Sequence, residues 1–137
     1  MRTRWTHTAQ PRAPRIAREF ARKFAAARGA DAETLAAVAL CISEAVTNAV
    51  MHAYRDREHP GTVEIYAYED EDGSLWFHVR DDGHGLAPRA DSPGLGVGLP
   101  IISQTAAAMA IRTPEEGGTE IVMQFNVSDA ADPVAVD

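Results

Sequence analysis

The stretch Ser43-Glu44-Ala45-Val46-Thr47-Asn48-Ala49-Val50-Met51-His52-Ala53-Tyr54 sets a carboxylate and an amide four residues apart inside a largely apolar run. Residues at that spacing share one face of a helix. With Glu44 at the origin and about 100° per residue, Asn48 falls at about 40° and His52 at about 80°. Leu35, Val38, Ile42, Ala45, Val46, Ala49 and Ala53 fall between about 100° and 200°, which makes that arc the core face. Ala37, Leu40, Cys41 and Met51 frame the polar stripe, so the helix is apolar nearly all round. An acid on such a helix is expected to be buried or to line a cavity, where its desolvation needs a functional reason.

Working outward, Asp31 is an N-cap candidate with Thr34 three residues on, so the spacing predicts one long helix to about Tyr54. Before it, Arg4 to Thr8 suits an edge strand, Pro11 and Pro14 punctuate entry to a first helix, and Gly29 suits its C-terminal cap. After the polar loop from Arg55 to Gly61, Thr62 to Tyr68 alternates and Ser74 to Arg80 follows the Asp70-Glu71-Asp72-Gly73 turn, a hairpin. Residues 81 to 98 are rich in Gly, Pro and Asp without a sustained period, a long irregular segment of the kind that is usually functional. Leu99 to Ala108 reads as a helix, Met109 to Thr113 as a strand, and Thr119 to Val127 as a final strand after Gly117-Gly118. The tail from Ser128 is expected to fray.

At 137 residues and 45% hydrophobic content, the chain suits a single domain over residues 1–137. The net charge of −7 disfavours broad binding to nucleic-acid phosphates. Against that balance, Arg12, Arg15, Arg18, Arg22, Lys23 and Arg28 face only Glu19 in the first helix region, which is either a solvated face or a docking surface for an acidic partner. The single Cys41 excludes an internal disulfide and suits a reducing cytoplasm. With no base beside it, Cys41 reads as a small core residue rather than a nucleophile. No uninterrupted run approaches the roughly 18 apolar residues of a membrane span, and no signal-peptide block opens the chain, so the expectation is a cytoplasmic protein without a membrane partner.

Three glycine clusters remain. Asp81-Asp82-Gly83-His84-Gly85 follows a strand, where alternating glycines allow close approach to a flat ligand and a carboxylate accepts from an exocyclic amine, although acidic glycine turns are also common surface loops. Gly94-Leu95-Gly96-Val97-Gly98 precedes a helix, a setting in which backbone N–H groups and the helix dipole suit phosphate. Its G-x-G-x-G spacing is not a dinucleotide fingerprint, and no standard P-loop is present. Gly117-Gly118-Thr119 opens the last strand; a two-glycine turn explains it, with Thr119 left as a hydroxyl contact.

The order of these motifs is more specific than any one of them: E-x-x-x-N on a helix, D-x-G-x-G after a strand, G-x-G-x-G before a helix, then G-G-T before a strand. Over about residues 4 to 126 this resembles the GHKL ATPase superfamily, the nucleotide-binding fold of gyrase, the heat-shock chaperone, sensor histidine kinases and mismatch-repair ATPases. The form E-A-x-x-N-A-x-x-H-A-Y most resembles the bacterial anti-sigma-factor serine/threonine kinases. The resemblance implies an α+β two-layer sandwich of the Bergerat type, a mostly antiparallel sheet covered on one face by three helices. It implies ATP and Mg²⁺ as cofactors, Glu44 as general base, Asn48 as Mg²⁺ ligand, and Asp81 accepting from the adenine amine. Gly83 and Gly85 would shape the pocket floor, Gly94, Gly96 and Gly98 the lid and phosphate turn, and Thr119 the adenine end, with residues 86 to 97 as lid.

By the same resemblance the enzyme phosphorylates an anti-sigma-factor antagonist, sequesters a sigma factor, and dimerises through its first strand and helix. His52 either borders the pocket or packs at the helix end, and His84 either touches nucleotide or faces water. Arg89 is the one cation of a short lid, which keeps open an alternative: a regulatory module that binds ATP or ADP and partner proteins without phosphoryl transfer. The chain carries no dimerisation helix with a phosphoacceptor His, which argues against a complete sensor histidine kinase.

Overall fold

The computed structural model describes residues 2–55, 61–82 and 95–127. Five strands and three helices follow in the order β1 (Arg2–Thr8), α1 (Ala13–Ala27), α2 (Ala32–Arg55), β2 (Thr62–Glu69), β3 (Leu75–Asp81), α3 (Leu95–Thr105), β4 (Ala108–Arg112) and β5 (Thr119–Phe125). The strands form one sheet in the order β1-β2-β3-β5-β4, every neighbouring pair antiparallel.

Local chemistry accounts for most boundaries. The backbone N–H of Thr34 donates to Asp31 Oδ1 at 2.9 Å, the side-chain cap that starts α2. Gly29, with φ of +89°, closes α1 as Arg28 and Gly29 N–H groups return to Ala25 and Ala26. In the β2–β3 turn the Asp70 carboxylate accepts from the N–H groups of Asp72 and Ser74 and, at 2.7 Å, from Trp76 Nε1. Three groups held by one side chain leave the hairpin a single register.

Period-two alternation turns Val63, Ile65 and Ala67 of β2 and Leu75, Phe77 and Val79 of β3 to the helix layer, all of them buried. From α2, Val38, Ile42, Ala45, Val46 and Ala49 meet them, and Leu35 packs at the margin. Phe77 is the central plug: its ring lies edge-on to Phe24 of α1 at 5.6 Å and to Phe125 of β5 at 5.9 Å. Full burial of each large aliphatic side chain contributes about 1.5–3 kcal/mol, so this layer junction supplies the bulk of the fold's hydrophobic stabilisation.

Three expectations change. Helix α3 starts at Leu95 and ends at Thr105, earlier at both ends than the sequence pattern indicates. Glycines there do not forbid helix when the C-terminal half buries a residue such as Ile102. Pro100 lies inside α3 and has no N–H to return to the preceding turn. The second change concerns α2: Leu40 and Met51, the apolar neighbours on the polar stripe, are 42% and 53% exposed, and Glu44 itself is half-buried. Third, Ala32–Met51 is long and apolar enough on average, with mean hydropathy 1.6, to meet the length and composition of a membrane span. Its apolar arc is spent instead on α1, α3 and the sheet. The loop at 56–60, the tail from Ser128 and most of the proposed lid lie outside the described residues.

Candidate functional site

Asp81 ends β3 on the helix-facing side of the sheet and is 7% exposed. Antiparallel pairing with β5 sets it directly opposite Thr119, which is 5% exposed. The Gly117-Gly118 turn makes this possible. Both glycines have positive φ, +100° and +84°, and a Cβ on Gly118 would lie 2.0 Å from the carbonyl oxygen of Asp81. Only a residue without a side chain lets the β5 entry pass so close to the β3 end. Asp82 then turns outward and its Oδ1 accepts from the Thr62 N–H at 3.1 Å, tying β2 to the same corner.

Helix α2 carries the other two polar residues onto this layer. Asn48 is buried at 7% exposure, and its Nδ2 has no hydrogen-bond partner among the described residues. A half-turn of the amide exchanges oxygen and nitrogen, so the position offers either a donor or a carbonyl oxygen without a protein partner. Buried polar groups are nearly always satisfied, so an orphan at this position calls for an explanation. Among the described residues no three His, Cys, Asp or Glu side chains converge on a metal position. A single amide oxygen from Asn48 would suit Mg²⁺, which takes one or two protein oxygens and completes its shell with water and phosphate oxygens.

Cys41 shares this region of α2 and is fully buried. Burial, with a smaller contribution from the Glu44 charge, pushes its thiol up to about 12. That value excludes a resident thiolate near neutral pH, in keeping with a core role.

Gly83, His84, Gly85, Arg89 and Gly94 lie outside the described residues, whereas Gly96 and Gly98 fall in the first turn of α3 instead of in the preceding loop. Glycines at a helix start still present N–H groups toward an anion. A depression of about 400 Å³ reaches Asp81 and Asp82 and is walled by Arg4, Thr6, Thr62 and Glu64; neither Glu44 nor Asn48 lines it. Arg4, Thr6, Glu64 and Arg80 of its lining belong to the open side of the sheet, and Asp81 marks where it meets the corner of the helix layer.

The sequence reading passed over Glu120. It is 5% exposed, and its carboxylate accepts from His78 Nδ1 at 3.1 Å and faces Arg80 at 3.5 Å. Alternation along β5 marks Glu120 as an outward residue, but only the register with β3 supplies its partners.

The family described as histidine kinase-like ATPase domain matches residues 7–125. The chain belongs to this family, whose domain binds nucleotide on the GHKL fold. It is 30% identical to the anti-sigma F factor of Heyndrickxia coagulans over 132 residues, covering 88% of this chain and 89% of that protein. It is also 30% identical to the anti-sigma F factor of Clostridium novyi over 103 residues, 67% and 71% of the two chains. Among solved structures, the RsbU and RsbW domains of a Mycobacterium tuberculosis protein superpose with a TM-score of 0.73 at 26% identity, across 93% of this chain and 32% of that one. The antiparallel sheet and three-helix layer implied by the sequence resemblance are thus those of its relatives, with anti-sigma factors prominent among them.

Proposed function

We propose that this single domain is an ATP- and Mg²⁺-dependent serine/threonine protein kinase of the cytoplasm that acts as an anti-sigma factor, phosphorylating an antagonist protein and sequestering a sigma factor. The observations that carry the reading are the pairing of Asp81 with Thr119 and the buried Asn48 of α2, whose Nδ2 has no partner among the described residues. Asp81 accepts from the adenine amino group, and Thr119 supports the same end of the base. Asn48 turns its amide oxygen to the metal. A neutral ligand there leaves the half-buried Glu44, one helical turn earlier, free to take the proton from an incoming hydroxyl. Bound ATP and Mg²⁺ supply the transferable phosphoryl group and neutralise its charge. Gly83, Gly85, Gly94, Gly96 and Gly98 complete the pocket floor and phosphate turn in this assignment.

The partner surface in this reading is α1. Arg12, Arg15, Arg22 and Lys23 are exposed along it, while Arg18 is held to Ser43 Oγ of α2 at 3.3 Å. These exposed cations, of which Arg22 also meets Glu19 at 3.4 Å, suit acidic protein partners on an acidic chain.

The deciding experiment incubates the protein with γ-labelled ATP, Mg²⁺ and candidate antagonists from the same genome, with Glu44→Ala alongside. Transfer to a Ser or Thr that falls roughly a hundred- to ten-thousand-fold in the variant supports the base assignment. Nucleotide binding without transfer to any candidate makes the chain a nucleotide-dependent binding module instead.

A further inference from the structure

The open face of the sheet carries a site of opposite electrostatic character to the chain as a whole. Alternation puts Arg80 and Asp81 on opposite sides of β3, so this face is separate from the helix-layer site. A depression of about 340 Å³ on it draws residues from all five strands, among them Arg2 of β1, Tyr66 and Tyr68 of β2, and Arg112 of β4. Its lining holds three guanidinium groups against the one carboxylate of Glu120, an excess of two positive charges on a chain of net charge −7.

Those guanidiniums are incompletely used. Register places Glu120 opposite both Arg80 and Arg112, yet the Arg80 contact is 3.5 Å and the Arg112 contact 3.9 Å, well beyond the roughly 2.7–2.9 Å of a closed charge-assisted hydrogen bond. The second Arg80 terminal nitrogen lies 3.6 Å from Glu116, whose side chain is 70% exposed. Arg80 Nε is buried and has no acceptor among the described residues. Arg2 lies over the Tyr68 ring at 5.3 Å, with no acidic partner among the described residues. Glu120 also holds His78, which in turn meets the Tyr68 hydroxyl at 3.1 Å, so the carboxylate keeps the floor fixed while the arginines stand around it.

We infer that this depression binds a phosphate group. A dianionic oxyanion matches the two excess charges, and its several oxygens give Arg80 Nε and the Arg2 and Arg112 forks the acceptors they lack; guanidinium is the side chain best shaped for that contact. The same chemistry serves inorganic phosphate or a phosphate monoester.

The test is a two-dimensional NMR titration of the whole chain with inorganic phosphate at constant ionic strength, repeated with O-phosphoserine. Saturable shifts centred on Tyr66, His78 and Glu120 are expected, and Arg112→Gln, at a side chain 62% exposed, weakens binding about tenfold without disturbing the fold. Arg80→Gln has the same effect, and Arg22→Gln on α1 leaves the affinity unchanged. Tighter binding of O-phosphoserine identifies a phosphorylated side chain as the ligand, and equal binding the free anion. Absence of saturable shifts on β2, β3 and β5, shifts confined to the surroundings of Asn48 and Asp81, or equal weakening by Arg22→Gln overturns the inference.

Discussion

Asp81 and Thr119 lie directly opposite each other across β3 and β5, and the backbone of Gly118 passes so close to Asp81 that a Cβ would sit 2.0 Å from its carbonyl oxygen. The position of the carboxylate therefore depends on a turn 37 residues later in the chain. Two motifs that are separate in sequence form one structural unit.

That contact makes the two glycines unequal. Gly118→Ala adds a backbone collision to an unfavourable φ and is expected to cost on the order of 1–3 kcal/mol in urea unfolding and to weaken nucleotide binding. Gly117→Ala, with open space around it, carries only the φ penalty of about 1 kcal/mol. Equal losses at both positions would contradict the close approach as the cause.

Asp81→Asn keeps the shape and the pairing with Thr119 but removes the charge. Calorimetric titration with ATP and Mg²⁺ is expected to show binding weakened by about 1.5–3 kcal/mol, the worth of one charge-assisted hydrogen bond. Unchanged affinity removes Asp81 from the nucleotide site.

The N-cap of α2 ties stability to acid. The N–H of Thr34, donating to the Asp31 carboxylate, holds that group below its ordinary value. A lowered folded pKa means that the contribution is complete above about pH 4, the ordinary carboxylate value, and is lost as pH falls through the lower folded value. Asp31→Asn, which caps comparably without titrating, should therefore flatten this part of the acid limb in a denaturation series between about pH 5 and pH 2. An unchanged limb places the acid sensitivity elsewhere.

Cys41 is expected to resist iodoacetamide at about pH 8, because burial raises the thiol to about 12 and removes access, and modification then follows global unfolding. Labelling of the native chain at the rate of a free thiol would mean that α2 opens locally around Glu44.

The periodic elements were legible because they are local. Asp31 capped the helix that the spacing of Val38, Ile42, Val46 and Ala49 required, and Gly29, Gly73 and the Gly117-Gly118 pair mark turns at positive φ. Helix α3 begins and ends earlier than its local pattern indicates because glycine lowers helix propensity without excluding it, and Ile102 is buried within it. The exposure of Leu40 and Met51 was equally hidden, since a stripe that is apolar by composition does not state what covers it.

By itself the sequence determined α1, α2, the hairpin, the motif order and through it the family, because each rests on chemistry within a few residues or on a pattern along the chain. Tertiary structure alone decided that β5 enters between β3 and β4, and with it that Thr119 meets Asp81 and that Glu120 meets His78, Arg80 and Arg112. Strand order and register are set by which faces the helix layer buries, a long-range packing choice that no local window of sequence contains.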